Sequence, residues 1–378
     1  MRIQRKLLVA GALAVALALP AVTAAGAGTT SAGGRGNVLA GLSAQQLAGQ
    51  RVIYSYSGLN PPASLISLIK HGEAAGVIFF GQNIAGKAQI AAVIKRLEQA
   101  NASPLNPVRA PLLLMTDQEG GQVRRLPGQP SLSEKQIGAR PLSQAKALAT
   151  AAGKGAAANL RGVGMNVNLA PVLDVYRAAG DFDDQFGRSY SMKPAVVSVL
   201  GANMIKAQQA GRVAAAAKHF PGLGAATAAQ DTDSGPVTLR LALTAIRGID
   251  EAPFKTAISA GVKLIMVSWA AYPSIQAGPA GLSPKVVLGE LRNRLGFTGV
   301  TITDALEAGA LKNYGTTANR TLLAARAGMD LILASAQNVT QGQQARGELA
   351  VAYSNGALGR QAFLASVNRV IALRKTLK

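Results

Sequence analysis

The feature that most constrains this chain is an alternation. From Val38 onward, short runs of β-branched residues, leucine or alanine recur between segments with helical spacing. Parallel strands joined by crossover helices produce this order. Strands are predicted at Arg51 to Tyr56, Gly76 to Phe80, Pro111 to Thr116, Met165 to Leu169, Arg212 to Ala217, Lys263 to Val267, Val300 to Thr303 and Asp330 to Leu333. Their runs are apolar throughout rather than alternating, as expected of strands covered on both faces. After the second run, Ile90, Val93, Ile94 and Leu97 fall on one face of a helix. Ser283 and Pro284 supply a cap and a first-turn proline for another, and a last helix is expected from about Gln361 to Leu373. Apolar residues make up 49% of the chain and aromatics only 4%, so the core must be built from Ala, Val, Leu and Ile. An open doubly wound sheet would show the same alternation. Asp117, Lys218, Trp269 and Asp304, however, each follow a predicted strand directly, as does Ser335, and loops from different strands converge in this way at the C-terminal face of a closed ring. The expected fold is therefore α/β, a single-domain (β/α)8 TIM barrel over residues 38–378.

The N-terminus reads as an export signal over residues 1–25: Arg2, Arg5 and Lys6 precede an apolar stretch from Leu7 to Val22, with small residues after it. Residues 26–37, rich in Gly, Ser and Thr, read as a flexible linker. The expected location is exported: secreted, periplasmic or cell-wall associated, with no stable membrane span once the signal is removed. With no cysteine, the chain has neither disulfides nor a lipid-anchored cysteine. The formal charge is +21, yet no block of five basic residues occurs, which argues against a dedicated nucleic-acid arm and for diffuse attraction to anionic cell-envelope polymers. A monomer is expected.

Three segments could carry chemistry. In Thr303-Asp304-Ala305-Leu306, an acid ends an apolar strand, where it either works, is paired, or caps the next helix. In Asp117-Gln-Glu-Gly-Gly121, followed by Arg124-Arg125, paired glycines allow a tight path that can present a carboxylate inward, and Arg125 offers a fixed fork of donors. Lys218-His219-Phe-Pro-Gly222 sets a cation and one of only two histidines after a strand of nearly pure alanine. Two distant histidines and no cysteine predict no metal site, and no cofactor is expected. Without a Gly-x-Ser-x-Gly elbow, a serine nucleophile has no support.

Together these segments resemble glycoside hydrolase family 3, and most closely its single-domain β-N-acetylhexosaminidase branch. The resemblance runs through Gly76-Val-Ile-Phe-Phe80, Asp117-Gln-Glu-Gly-Gly121, Asn166-Val-Asn-Leu-Ala-Pro-Val-Leu-Asp174, Gly187-Arg188-Ser189, Lys218-His-Phe-Pro-Gly222, Leu295-Gly-Phe297 and Thr303-Asp-Ala-Leu306. It implies retaining exo-hydrolysis of β-linked N-acetylglucosaminyl units, with carbohydrate as the partner and Asp304 as the nucleophile that forms a glycosyl-enzyme intermediate. It also implies that Asp117, Arg125, Arg188, Lys218 and His219 hold the sugar. The branch carries its acid/base histidine in an Asp-x-His element, but the corresponding loop here, Gly224 to Pro236, has no histidine. Depending on alignment, Asp233 or Gly235 takes its place, which leaves Asp233 or Asp231 as the provisional acid/base. Trp269 stands where the branch often has histidine, and either stacks on a sugar or packs in the core. Two alternatives accompany this reading: a non-catalytic sugar-binding barrel, and a β-glucosidase that differs only in the group at C2.

Overall fold

The computed structural model describes Leu39 and residues 41–377. The expected signal, 1–25, and linker, 26–37, lie outside the described residues. All eight predicted strands form: β1 (Val52–Tyr54), β2 (Gly76–Ile78), β3 (Leu113–Thr116), β4 (Val167–Asn168), β5 (Ala214–Phe220), β6 (Leu264–Val267), β7 (Val300–Thr303) and β8 (Ile332–Leu333). Their order around the sheet is β7-β6-β5-β4-β3-β2-β1-β8, all in parallel register. A parallel bridge between Ile302 and Leu331, with Leu331 N–H donating to Thr301 O at 2.9 Å, brings the two edges together into a (β/α)8 barrel. Main-chain groups that an open sheet would leave exposed are thereby paired.

Alternate strand residues face opposite ways, which divides the apolar residues into two cores. Ile53, Leu113, Met115, Val167, Ala214, Ala216, Leu264, Met266, Val300 and Ile302 fill the barrel interior. Val52, Tyr54, Leu112, Leu114, Ala215, Ala217, Ile265 and Val267 pack outward against the helices. The helix Lys87–Asn101 buries Ile90, Val93, Ile94 and Leu97, the face its spacing predicts. The last helix runs over Arg360–Lys375 and closes the N-terminal end of the barrel, where Val370, Leu373 and Leu377 join the interior cluster. Arg374, 1% exposed, fastens it there by donating to Ala110 O and Pro111 O. Among the described residues, no helix is long and apolar enough to cross a membrane.

Two local features differ from expectation. β5 starts later than predicted and runs on through Lys218 and His219 to Phe220. The segment Lys285–Arg294, predicted as an ordinary helix, is wound as a π-helix, with Ser283 Oγ accepting from Val286 N–H at 3.2 Å.

Candidate active site

The inward series of the strands continues past the core, and its next members are polar. Leu113 and Met115 lead to Asp117, Ala214 and Ala216 to Lys218, Val300 and Ile302 to Asp304, and Leu331 and Leu333 to Ser335. One cavity of about 360 Å³ opens at this C-terminal end. Its apolar lining includes Ile78, Leu169, Met266 and Leu333, and its polar lining includes Asp117, Glu119, Arg125, Arg188, Lys218, His219, Asp231, Asp233 and Asp304. Strand alternation thus delivers charged groups to one pocket without any of them entering the core.

A buried ion network organises one side. Lys218 Nζ lies 2.7 Å from Asp117 Oδ1 and 2.7 Å from Glu119 Oε1. Arg188 grips Glu119 with a two-pronged contact, Nε to Oε2 and Nη2 to Oε1, both at 3.0 Å, and reaches Asp183 Oδ1 with Nη1 at 3.1 Å. Burial alone would push the Glu119 carboxyl up, but Arg188 and Lys218 outweigh it and bring it down to about 2. Burial likewise works against the Lys218 cation, and Asp117 and Glu119 reverse the effect, so its pKa is raised. Both partners are held in their charged forms.

His219 is the second fixed element. Its Nδ1 sits 2.7 Å from Asp174 Oδ2, and its backbone N–H also donates to that carboxyl, as does Leu223 N–H at 2.5 Å. Burial, then the Arg188 charge, lowers His219 to about 4, so the ring is neutral at pH 7. With Nδ1–H donating to Asp174, the Nε2 lone pair is left facing the cavity, 3.5 Å from Arg188 Nη2. Burial raises Asp174 to about 6 and, with the Asp174 charge, Asp183 to about 7. Ligand-type atoms of Asp174, Asp183 and His219 lie within 4.8 Å of one another, a set that could hold a metal ion and that sequence spacing does not reveal. In the structure these atoms face internal partners: Arg188 on Asp183, and the imidazole and backbone N–H groups on Asp174.

Asp304 follows β7 directly, and Ala305 N–H donates to its Oδ1 at 2.7 Å. Burial raises its pKa; His219 opposes the rise and Asp233 adds to it. Asp233 reaches the cavity from the loop after β5. Lost hydration, then the charges of Asp231 and Glu307, raise its pKa. Asp231 shapes this loop, with Oδ1 accepting from Asp233 N–H at 2.9 Å and Oδ2 from Ser234 Oγ at 2.6 Å. The loop is clamped to the segment after Asp304: Gly309 N–H donates to Asp233 O at 2.8 Å and Ala310 N–H to Thr232 O at 2.9 Å. A Cβ on Gly309 would stand 2.5 Å from Ser234 O, so glycine permits the approach.

Of the nine residues singled out from the sequence, eight line this one cavity, with Arg125 exposed at its rim. Trp269 is the exception. It is 1% exposed, lies outside the cavity lining, and donates Nε1–H to Ala305 O at 2.8 Å. Of the two places the sequence left open for it, the sugar-binding one is corrected: the indole packs in the core behind the Asp304 loop, with Gly281 against its ring. Glu119, Asp174 and Asp183 do not stand out in the sequence, although the first two sit inside Asp117-Gln-Glu-Gly-Gly121 and the segment Asn166 to Asp174; their partners lie 69 and 45 residues away in the chain. Phe182 and Phe186, edge to face at 5.7 Å, also line the cavity and were not foreseen.

A model of the glycosyl hydrolase family 3 N terminal domain matches residues 43–373. An uncharacterized secreted glycosyl hydrolase of Arthroderma benhamiae is 46% identical over 87% of this chain and 93% of its own length. A beta-hexosaminidase of Stenotrophomonas maltophilia is 32% identical over 70% of this chain and 77% of its own. Beta-hexosaminidase A of Pseudoalteromonas piscicida is 29% identical, and the match spans 56% of that protein. Among solved structures, the family 3 beta-N-acetylglucosaminidase of Paenibacillus superposes with a TM-score of 0.82 at 32% identity, over 89% of this chain and 62% of that one. The beta-N-acetylhexosaminidase of Beutenbergia cavernae gives 0.78 at 28% identity, over 88% of this chain and 98% of that one.

Proposed function

The chain belongs to glycosyl hydrolase family 3 and is a β-N-acetylhexosaminidase-like glycoside hydrolase, and from that premise we propose that it is exported and removes terminal β-linked N-acetylglucosaminyl units with retention of configuration. In this reading Asp304 attacks the anomeric carbon, and a bond from its carboxylate oxygen to that carbon forms as the glycosidic C–O bond breaks. Asp233, whose pKa is raised by lost hydration and the charges of Asp231 and Glu307, acts as the acid: it gives a proton to the departing oxygen, then takes one from the water that hydrolyses the intermediate. Asp117, Lys218 and Arg188 hold sugar hydroxyls from a network already locked in its charged state, so little reorganisation accompanies binding. Arg125 covers the rim, His219 offers its Nε2 lone pair to a hydroxyl, and Asp231 fixes the turn that carries Asp233. The observation that carries the proposal is that Asp304, at the end of β7, shares a single cavity with all of these groups.

The test is a panel of aryl β-glycosides. N-acetylglucosaminides should release aglycone faster than glucosides, with a β-configured first product, and Asp304→Ala should abolish release. One observation favours a second reading, a non-catalytic sugar-binding barrel: the loop 224–236 has no histidine in the acid/base position. That reading predicts N-acetylglucosamine affinity with no release of even an activated aglycone.

A further inference from the structure

A second cavity, also of about 360 Å³, lies at the opposite, N-terminal end of the strands, where Arg51 enters β1 and Gly328 precedes β8. Four arginines are among the residues that line it, Arg51, Arg292, Arg326 and Arg369. One carboxylate, Asp330, stands behind them. It is fully buried and already engaged by Arg292 at 2.6 Å, by Arg369 at 2.7 Å and by Thr301 N–H at 3.0 Å. Arg51 does not pair with that carboxylate: its Nε and Nη2 donate to the backbone oxygens of Asp330 and Met329, and its guanidinium lies 4.5 Å from the Phe363 ring centre. Arg326 makes no ion pair among the described residues. Four positive groups against one negative leave three positive charges uncompensated around the cavity.

Two further observations point the surplus toward a ligand. The Nε–H of Arg292 is buried with no acceptor, and an orphaned charged donor of this kind is costly unless something outside the chain accepts from it. The sixteen-residue helix Arg360–Lys375 begins at the cavity, where Gly359 and Ala362 line it, and no side chain caps that end. Its first N–H groups therefore add donors and a partial positive charge of their own. Burial lowers Arg51 to about 10, opposed by the pull of Asp330 and aided by a smaller repulsion from Arg369.

We propose that this cavity is a binding site for a phosphate-type oxyanion, separate from the sugar pocket. Planar guanidinium forks and helix N–H groups approaching from different elements suit a tetrahedral group with several acceptor oxygens better than a carboxylate with two. The same chemistry is offered by free phosphate and by a phosphodiester polymer, and the excess of basic residues over the whole chain concentrates either one nearby.

Titration calorimetry with inorganic phosphate, at ionic strength held constant with sodium chloride and with saturating N-acetylglucosamine to occupy the sugar pocket, tests the site on the full chain. One saturable equivalent per chain is expected. Arg326→Glu and Ala362→Glu, both at exposed positions away from the sugar pocket, should each weaken it about tenfold or more while aryl-glycoside turnover stays within about twofold. A soluble poly(glycerol phosphate) chain identifies the source. Tighter binding per phosphate than inorganic phosphate, lost in the same variants, assigns the site to a phosphodiester polymer; equal or weaker binding assigns it to free phosphate. Absence of saturable binding, or binding that both variants retain at wild-type strength, would overturn the proposal.

Discussion

Replacing Glu119 by Gln removes one negative charge from the buried network while keeping its shape. Glu119 is 2% exposed and accepts from Arg188 at 3.0 Å twice and from Lys218 at 2.7 Å. Its carboxyl falls from the ordinary 4.5 to about 2. At about 1.36 kcal/mol per pH unit, this amounts to roughly 3 kcal/mol of stability at neutral pH. That figure sits at the lower edge of the ~3–5 kcal/mol lost when one partner of a buried pair is removed. A domain of this size has an unfolding entropy on the order of 0.7 kcal/mol/K, so Glu119→Gln should lower Tm by about 4 °C at pH 7. Because the carboxyl is depressed, its contribution is present above about pH 4.5 and is lost as pH falls through about 2. At pH 3 roughly 1.5 kcal/mol remains, and the gap between wild type and variant should narrow to about 2 °C. Thermal unfolding followed by circular dichroism at pH 7 and pH 3 measures both gaps. A variant as stable as wild type at pH 7, or a gap that does not shrink on acidification, would refute the reasoning.

Three other perturbations separate the roles of neighbouring groups. Asp233→Asn should slow hydrolysis of poorly activated alkyl glycosides by about 100-fold or more and that of dinitrophenyl glycosides far less; equal losses on both would remove Asp233 from the acid role. Gly309→Ala should force the Asp233 loop away, since the new Cβ would meet Ser234 O at 2.5 Å. Its kcat should drop several-fold with KM little changed in steady-state kinetics, and an unaltered kcat would show that the clamp does not position the loop. Asp183 is raised to about 7, so its stabilising contribution is present below the ordinary 3.8 and is lost as pH rises through about 7. The Tm of Asp183→Asn should accordingly fall less than that of wild type between pH 5 and 7, and parallel Tm curves would contradict the shift.

The barrel was legible because its strands are buried on both faces, which turns each into a short uninterrupted apolar run such as Leu264–Val267. Strand ends were less so. β5 extends through Lys218 and His219, polar residues that read as a terminus from sequence but are kept in the strand by ion and imidazole partners. The polar residues one step beyond each inward apolar series were legible for the same reason as the core: period-two alternation carries Asp117, Lys218 and Asp304 to one mouth. What stayed hidden was the layer that supports them. Asp174 acts through His219, 45 residues further on, and Asp183 through Arg188, whose own grip on Glu119 spans 69 residues; no local pattern distinguishes a buried working carboxylate from a turn acid. Trp269 was ambiguous in sequence because an indole serves a sugar face or a core equally well; its N–H, satisfied by Ala305 O, places it in the core.

The central claim is that the carboxylate ending β7 becomes covalently bonded to the sugar. Incubation with a slowly turned-over fluorinated N-acetylglucosaminide bearing a good leaving group, followed by proteolysis and mass spectrometry, tests it directly. One added sugar per chain is expected, on the peptide containing Asp304 and lost when that residue is Ala. A label on the peptide of Asp233, or aglycone release that proceeds undiminished in Asp304→Ala, would contradict it.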